Sequence, residues 1–353
     1  MELLRTLSDP AGFDWRTAPL SAWYWPVGAA GIYLLAVVAM LPSAVLASEK
    51  AREAARAEKE ARAAAGGRTK ASPESAAAAA EKSGAWSSIM CWHNLVLCIW
   101  SLVMMLGCAY EVWMRLGEAG TDDTGFLFCE TPMTGTEQAS RAGTPDGSEQ
   151  FAGAAGGAAT GPLYFWSYVY YLSKFYELAD TILALAKGSP PRHLFLHVFH
   201  HALVLLMSWL WLEQRQSLQW IGLLFNTFVH VVMYYYFSRV ALGQRVWWKN
   251  WITTLQIVQF VTSLVAFAIF AFAAAGADIL PLLPDVAAKG WRAIAAAVGL
   301  SSPGSGWRHA CAGWSALQFN LFFNVTLLFG FVNVLGKNTS ADAKKKSKST
   351  KTA

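Results

Sequence analysis

Apolar runs of bilayer length dominate the chain and decide what it can fold into. Several stretches extend for 18 residues or more with few charges, the length a helix needs to cross a hydrocarbon core about 30 Å thick. Seven spans are expected, at 24–47, 89–113, 162–186, 194–213, 217–240, 250–275 and 310–335. The fourth is short and ends near Glu213. Lipid offers no partner for backbone amides, so spans are helices or closed barrels. The runs are continuous rather than alternating, which selects helices. Composition agrees: 55% of the 353 residues are hydrophobic and 14% are charged, where a soluble domain carries about 25% charged. The fold class is all-α and polytopic.

The segments between spans are polar. Residues 1–23 form a terminal segment. Residues 48–88 are Ala-rich and charged on every face, expected as a solvated helix followed by a loop. Residues 114–161 are rich in Gly, Ala, Ser and Thr and read as a long loop. Residues 336–353 are a basic tail. With the N-terminus outside, 19 Lys and Arg fall on the inner side, 8 on the outer side, and Lys174 lies within the third span. The positive-inside rule thus places the N-terminus in the lumen and the C-terminus in the cytosol. The first span lacks a small-residue cleavage site and reads as an uncleaved anchor. The sequons at Asn324 and Asn338 fall in a span and in the cytosolic tail, so neither is expected to carry sugar. The net charge of +5 reflects this orientation, and no nucleic-acid partner is expected.

Four spans carry residues that lipid should exclude. The third holds Lys174, Glu177, Asp180 and Thr181, and the fourth His197, His200 and His201. The fifth holds Asn226, His230 and Tyr234, and the sixth Thr253, Gln256 and Gln259. Each set is spaced by one, three or four residues and so shares a helix face. Given the orientation, all four stripes lie in one layer near the cytosolic side. A structural polar network accounts for one stripe alone; four stripes at one depth point to a shared site.

The triplet His197, His200 and His201 resembles a histidine box of membrane di-iron enzymes, which draw histidines from several boxes. This chain has seven histidines. His93, His193 and His309 are expected to stand alone, which leaves His197, His200, His201 and His230. Four imidazoles suffice for one zinc, whereas two irons would also need Glu177 and Asp180. Alternatively, an imidazole is the nucleophile or base toward an activated acyl group such as a thioester. A neighbouring histidine and a carboxylate would set its tautomer, and Asn or Gln amides would orient a carbonyl. The inventory suits acyl transfer better than oxygen chemistry.

These residues match known motifs. "KFYELADT", "HVFHH", "NTFVHVVMY" and "TLQIVQF" resemble, in order and spacing, the four motifs of the ELO family of endoplasmic-reticulum fatty-acid elongases, over about residues 86–335. The stretch "MYYYFSRVALGQRVWWKNWITTLQIVQF" is most similar to the fungal and protist branch. The resemblance implies condensation of a long-chain acyl-CoA with malonyl-CoA to a 3-ketoacyl-CoA, with release of CO2 and CoA. It also implies six helices around a narrow tunnel with the first helix outside, and no metal or cofactor. His200 would accept the acyl group, with His197, His201 and His230 positioning it and moving protons. Asp180 would orient a histidine, Lys174 and Glu177 would pair, and Asn226, Gln256 and Gln259 would hold carbonyls, with Tyr234 on the same face as His230. Lys187, Arg192, Arg239, and above all Arg245 and Lys249, sit where CoA phosphates arrive, although flank charges of the positive-inside rule explain them equally well. A tunnel closed at its lumenal end would limit chain length. The family also implies residence in the endoplasmic-reticulum membrane, the reductases and dehydratase of the elongation cycle as partners, and a homodimer. The loops at 49–85 and 114–161 are long for the family, and the tail is a poor di-lysine retrieval signal. Of the five cysteines, Cys91, Cys98 and Cys108 lie in the second span as apolar thiols. Cys129 and Cys311 fall on the lumenal side and are expected to form a disulfide.

Overall fold

The computed structural model describes residues 2–64, 73–119, 130, 159–274 and 312–350. Nine helices account for nearly all of these: α1 (Glu2–Ser8), α2 (Tyr24–Ala64), α3 (Pro73–Ala119), α4 (Pro162–Glu177), α5 (Ala179–Ala186), α6 (Leu194–Glu213), α7 (Gln219–Ala241), α8 (Lys249–Ala274) and α9 (Trp314–Thr350). Strand geometry among the described residues is limited to one isolated bridge, Asp14 to Thr160. Among the described residues, six helical segments are long and apolar enough to cross a membrane: Tyr24–Ala61, Gly84–Gly117, Leu194–Glu213, Gln219–Ala241, Trp251–Ala268 and Trp314–Gly336. The short fourth run is among them, as α6.

The third expected span differs. It forms two helices, α4 of 16 residues and α5 of 8, on either side of Leu178. The break falls between Glu177 and Asp180. The interruption is slight: Leu178 keeps right-handed helical dihedrals, φ −58° and ψ −27°. Just before it, Ser173 Oγ bonds to the Tyr170 carbonyl at 2.8 Å and to Glu177 Oε1 at 3.1 Å. Helices α2 and α3 also outrun their expected ends. At 1.5 Å per residue each is about 60–70 Å long, so both extend well past the bilayer core. In α2 the excess, residues 50–61, is exposed throughout, as the charge pattern demands.

One apolar core joins six segments of the chain. It contains Met104 and Cys108 of α3, Leu163 and Tyr170 of α4, Val204, Met207 and Trp211 of α6, Leu223 of α7, Phe260 of α8, and Phe323 and Leu327 of α9. Helix α2 packs outside it, through Tyr33, Val37 and Ala44 against Leu185 of α5 and Ala202 of α6. The N-terminal segment is not a free tail. Phe13 and Trp15 are buried against Tyr168 and Tyr171, the Trp15 N–H donates to the Ala159 carbonyl, and the Gly161 N–H donates to Phe13. This closes one end of the bundle.

That end is tied further. The Ala312 N–H donates to the Glu130 carbonyl at 2.7 Å. Glu130 N–H donates to Ser217 Oγ, and its carboxylate meets Arg115 at 3.5 Å and Arg215 at 3.3 Å. Gln214 Oε1 accepts Ser315 Oγ and the Ala316 N–H, satisfying a donor in the first turn of α9. Gly313, at φ 79°, allows this approach, since a Cβ there would lie 2.4 Å from Gln216 Cα. Cys129 and Cys311 lie outside the described residues, as does most of loop 114–161.

Candidate active site

Three polar groupings meet inside the bundle. The first surrounds Glu177. Lys174 Nζ donates to Glu177 Oε1 at 2.7 Å, three residues along α4, with both side chains almost wholly buried. Asn226 Oδ1, from α7, accepts the Tyr170 hydroxyl at 2.9 Å and Lys174 Nζ at 3.4 Å. The ammonium also sits 3.8 Å over the Tyr170 ring. His230 Nδ1 lies 3.6 Å from Glu177 Oε1. The contacts of Glu177 all fall on Oε1; its Oε2 is buried without a hydrogen-bond partner among the described residues, so part of the cost of burying the pair is left uncompensated.

The second surrounds Asp180. Its Oδ2 accepts the Tyr234 hydroxyl at 2.8 Å and lies 3.9 Å from His201 Nε2. Its Oδ1 lies 2.6 Å from His93 Nε2, on α3. His93 Nδ1 lies 3.2 Å from the Tyr176 hydroxyl. His93, which the sequence left as a lone residue, is therefore a corrected reading: it is the shortest polar contact of Asp180. The depth criterion that grouped the other stripes applied to it too, since it begins the second run on the same side.

The third is the histidine box. His197 and His201 approach to 4.4 Å between ring centres, and His200 and His201 to 5.4 Å. His200 stacks on Phe323 of α9 at 5.7 Å. Among the described residues, His197 Nε2, His200 Nδ1 and His201 Nδ1 are buried without a hydrogen-bond partner. Buried imidazole nitrogens left open in this way need an explanation, and a substrate group supplies one.

A cavity of 580 Å³ opens among these groups. His197, His200, His201, His230, Asp180, Tyr234 and Asn226 line it, with Thr253, Gln256 and Gln259 from α8. Gln256 Nε2 also contacts Met233 Sδ at 3.7 Å. Lys187, Arg192, His193 and Lys249 also line the cavity. His193 thus joins the cavity wall, contrary to its reading as a lone residue. Arg245 is exposed and is not part of the wall. Thr181 turns the other way and shares a 2.7 Å hydrogen bond with Tyr33 of α2, so it leaves the polar stripe to which spacing had assigned it. A second cavity of 60 Å³ shares His200, Asn226, Gln259 and Phe260 with the first and is lined also by Trp211, Leu218 and Leu317. Trp211 stacks on Tyr170 at 5.2 Å. Among the described residues no group of three His, Cys, Asp or Glu side chains is arranged to hold a metal ion.

Fold and site together define an all-helical, multi-span membrane protein with a chamber inside its bundle lined by imidazoles and the carboxylate of Asp180. The GNS1/SUR4 (ELO) family model matches residues 18–348, and the chain belongs to that family. A Dictyostelium discoideum protein named as a candidate fatty acid elongase is 40% identical over 169 residues, 48% of each chain. Fatty acid elongase sre1 of the same organism is 36% identical over 171 residues, 48% of this chain and 53% of that one. A candidate fatty acid elongase 1 of Schizosaccharomyces pombe is 40% identical over 119 residues, 34% of this chain and 35% of that one. These similarities fit the protist and fungal branch. The chain spans about half the length or less of the curated relatives it matches. No solved structure matches it.

Proposed function

We propose that the chain is a condensing enzyme of fatty-acid elongation, a 3-ketoacyl-CoA synthase of the endoplasmic-reticulum membrane. The observation that carries this reading is the 580 Å³ cavity onto which His197, His200, His201, His230 and Asp180 face, with Lys187, Arg192, His193 and Lys249 also in its wall. His200 attacks the thioester carbonyl of a long-chain acyl-CoA. A C–N bond forms, the C–S bond breaks, and CoA leaves as the thiol with the imidazole proton. Malonyl-CoA then loses CO2, and the electron pair of the broken C–C bond attacks the acyl-imidazole carbonyl. The C–N bond breaks, the 3-ketoacyl-CoA departs, and a proton taken from solvent restores the imidazole. One proton is consumed per turnover. His197, His201 and His230 relay these protons, and Gln256, Gln259 and Asn226 orient the carbonyls. Lys187, Arg192 and Lys249 receive CoA phosphates, and Arg245 is kept only as an outer contact. The acyl tail runs toward Trp211. No metal or cofactor takes part. The basic residues of the wall face the cytosol, the N-terminus lies in the lumen, and the C-terminus is cytosolic. The product passes to the reductases and dehydratase of the cycle, and the enzyme works as a homodimer in the lipid bilayer.

Turnover tests this reading. Purified full-length protein is given a long-chain acyl-CoA and malonyl-CoA, and products are read by mass spectrometry alongside metal content. The expected result is a 3-ketoacyl-CoA two carbons longer, with His200→Ala inactive. Absence of that product from active-looking, folded protein, or two irons per chain, would sink the proposal.

A further inference from the structure

The shortest polar contact of Asp180 is with a histidine that the four motifs do not include. His93 is buried, only 6% exposed, and its Nε2 lies 2.6 Å from Asp180 Oδ1. It does not line the cavity; it stands behind the carboxylate. Facing the carboxylate acceptor Asp180 Oδ1, His93 Nε2 carries the proton and donates it; in a neutral ring Nδ1 then accepts from the Tyr176 hydroxyl 3.2 Å away. The Tyr234 hydroxyl donates to Asp180 Oδ2. An N–H donor at this distance from a carboxylate makes a charge-assisted bond, stronger than a neutral one. It fixes the rotation of the carboxylate and so fixes where Oδ2 points, 3.9 Å from His201 Nε2.

We infer that His93 is a positioning residue: through its bond to Asp180 it holds that carboxylate toward His201 of the histidine box. Without the bond, Asp180 keeps only Tyr234 and is free to rotate, and His201 loses a fixed charge beside its ring. His93 touches no substrate, so its removal lowers turnover and leaves substrate binding nearly intact. The inference rests on the proposed condensing activity for its kinetic consequence but not for its geometry.

The test uses full-length protein carrying His93→Leu, His93→Gln, Asp180→Asn and the His93→Leu/Asp180→Asn pair. The Gln amide N–H takes the place of Nε2–H, whereas Leu fills the space without a donor. His93→Leu is expected to lower kcat about ten- to a hundredfold, the range in which partners of working ligands act, with KM for acyl-CoA changed by less than about twofold. His93→Gln recovers most of the loss. In the Asp180→Asn background, His93→Leu costs nothing more. In wild-type protein labelled with 15N-histidine, the His93 ring carries its proton on Nε2, and the ring signals of His201 move in His93→Leu. Wild-type kcat in His93→Leu, equal losses in the Leu and Gln variants, an additive loss with Asp180→Asn, or a His93 proton on Nδ1 would each overturn the inference. If the wild-type protein forms no 3-ketoacyl-CoA, the proposed function fails, and the nitrogen spectra still decide whether His93 positions the pair.

Discussion

Lys174 and Glu177 pose the sharpest energetic question in the bundle. Both are almost fully buried and joined at 2.7 Å. Losing one partner strands a charge, which costs about 3–5 kcal/mol, while replacing both by apolar groups of similar size is close to neutral. Lys174→Met is therefore expected to lower stability in detergent by about 3–5 kcal/mol, and Lys174→Met/Glu177→Leu to recover most of it. Unfolding curves of the three proteins check this, and a double variant no more stable than the single one would show that the charges have a second role in folding. The pair was legible in the sequence because three-residue spacing places both groups on one face. Thr181 was not, because a one-residue step from Asp180 spans about 100° of helix, enough to turn it onto Tyr33 of α2. His93 was missed because it stands alone at the start of the second span, with no same-face polar partner in its own helix pattern. Only its tertiary contact with Asp180 makes it part of the site.

Among the elements, α9 and the α6–α7 turn form a tied end. Glu130 and Ala312 are joined backbone to backbone, and each is the chain neighbour of one of the two cysteines proposed to pair. A Cys129–Cys311 disulfide would close a loop of more than a hundred residues and stabilise by about 2–4 kcal/mol. Non-reducing peptide mapping is expected to recover the linked peptides, and reduction or Cys129→Ser to lower the melting temperature. Two free thiols in oxidised protein would refute the pairing. The extent of the apolar runs was readable from composition, since lipid sets their length. The α4–α5 break was not, because nothing in "KFYELADT" departs from helical periodicity. The excess length of α2 was readable in outline from its all-round charge, but where it stops depends on residues beyond the bilayer's demand.

At the scale of the molecule, a larger and a smaller cavity share His200, Asn226, Gln259 and Phe260 in their walls, and Trp211 lines the smaller one. Gly222 faces that ring closely: a Cβ at Gly222 would lie 3.0 Å from it. The proposed acyl tail meets the stacked Trp211 and Tyr170 there. Trp211→Ala is expected to shift products longer by at least one two-carbon cycle, and Gly222→Ala, which crowds the ring, to leave them unchanged or shorter. Product profiles from a mixture of acyl-CoA lengths check both, and an unchanged profile in Trp211→Ala would place the end of the tail elsewhere. The most direct test of the central claim is intact-protein mass spectrometry after incubation with a long-chain acyl-CoA and no malonyl-CoA, wild type beside His200→Ala. One acyl mass on the wild type, absent from the variant and discharged by malonyl-CoA as 3-ketoacyl-CoA, is the predicted result. Wild-type protein that turns over both substrates yet never carries an acyl group, even when rapidly quenched, would contradict the acyl-imidazole and make His200 a base in a direct condensation.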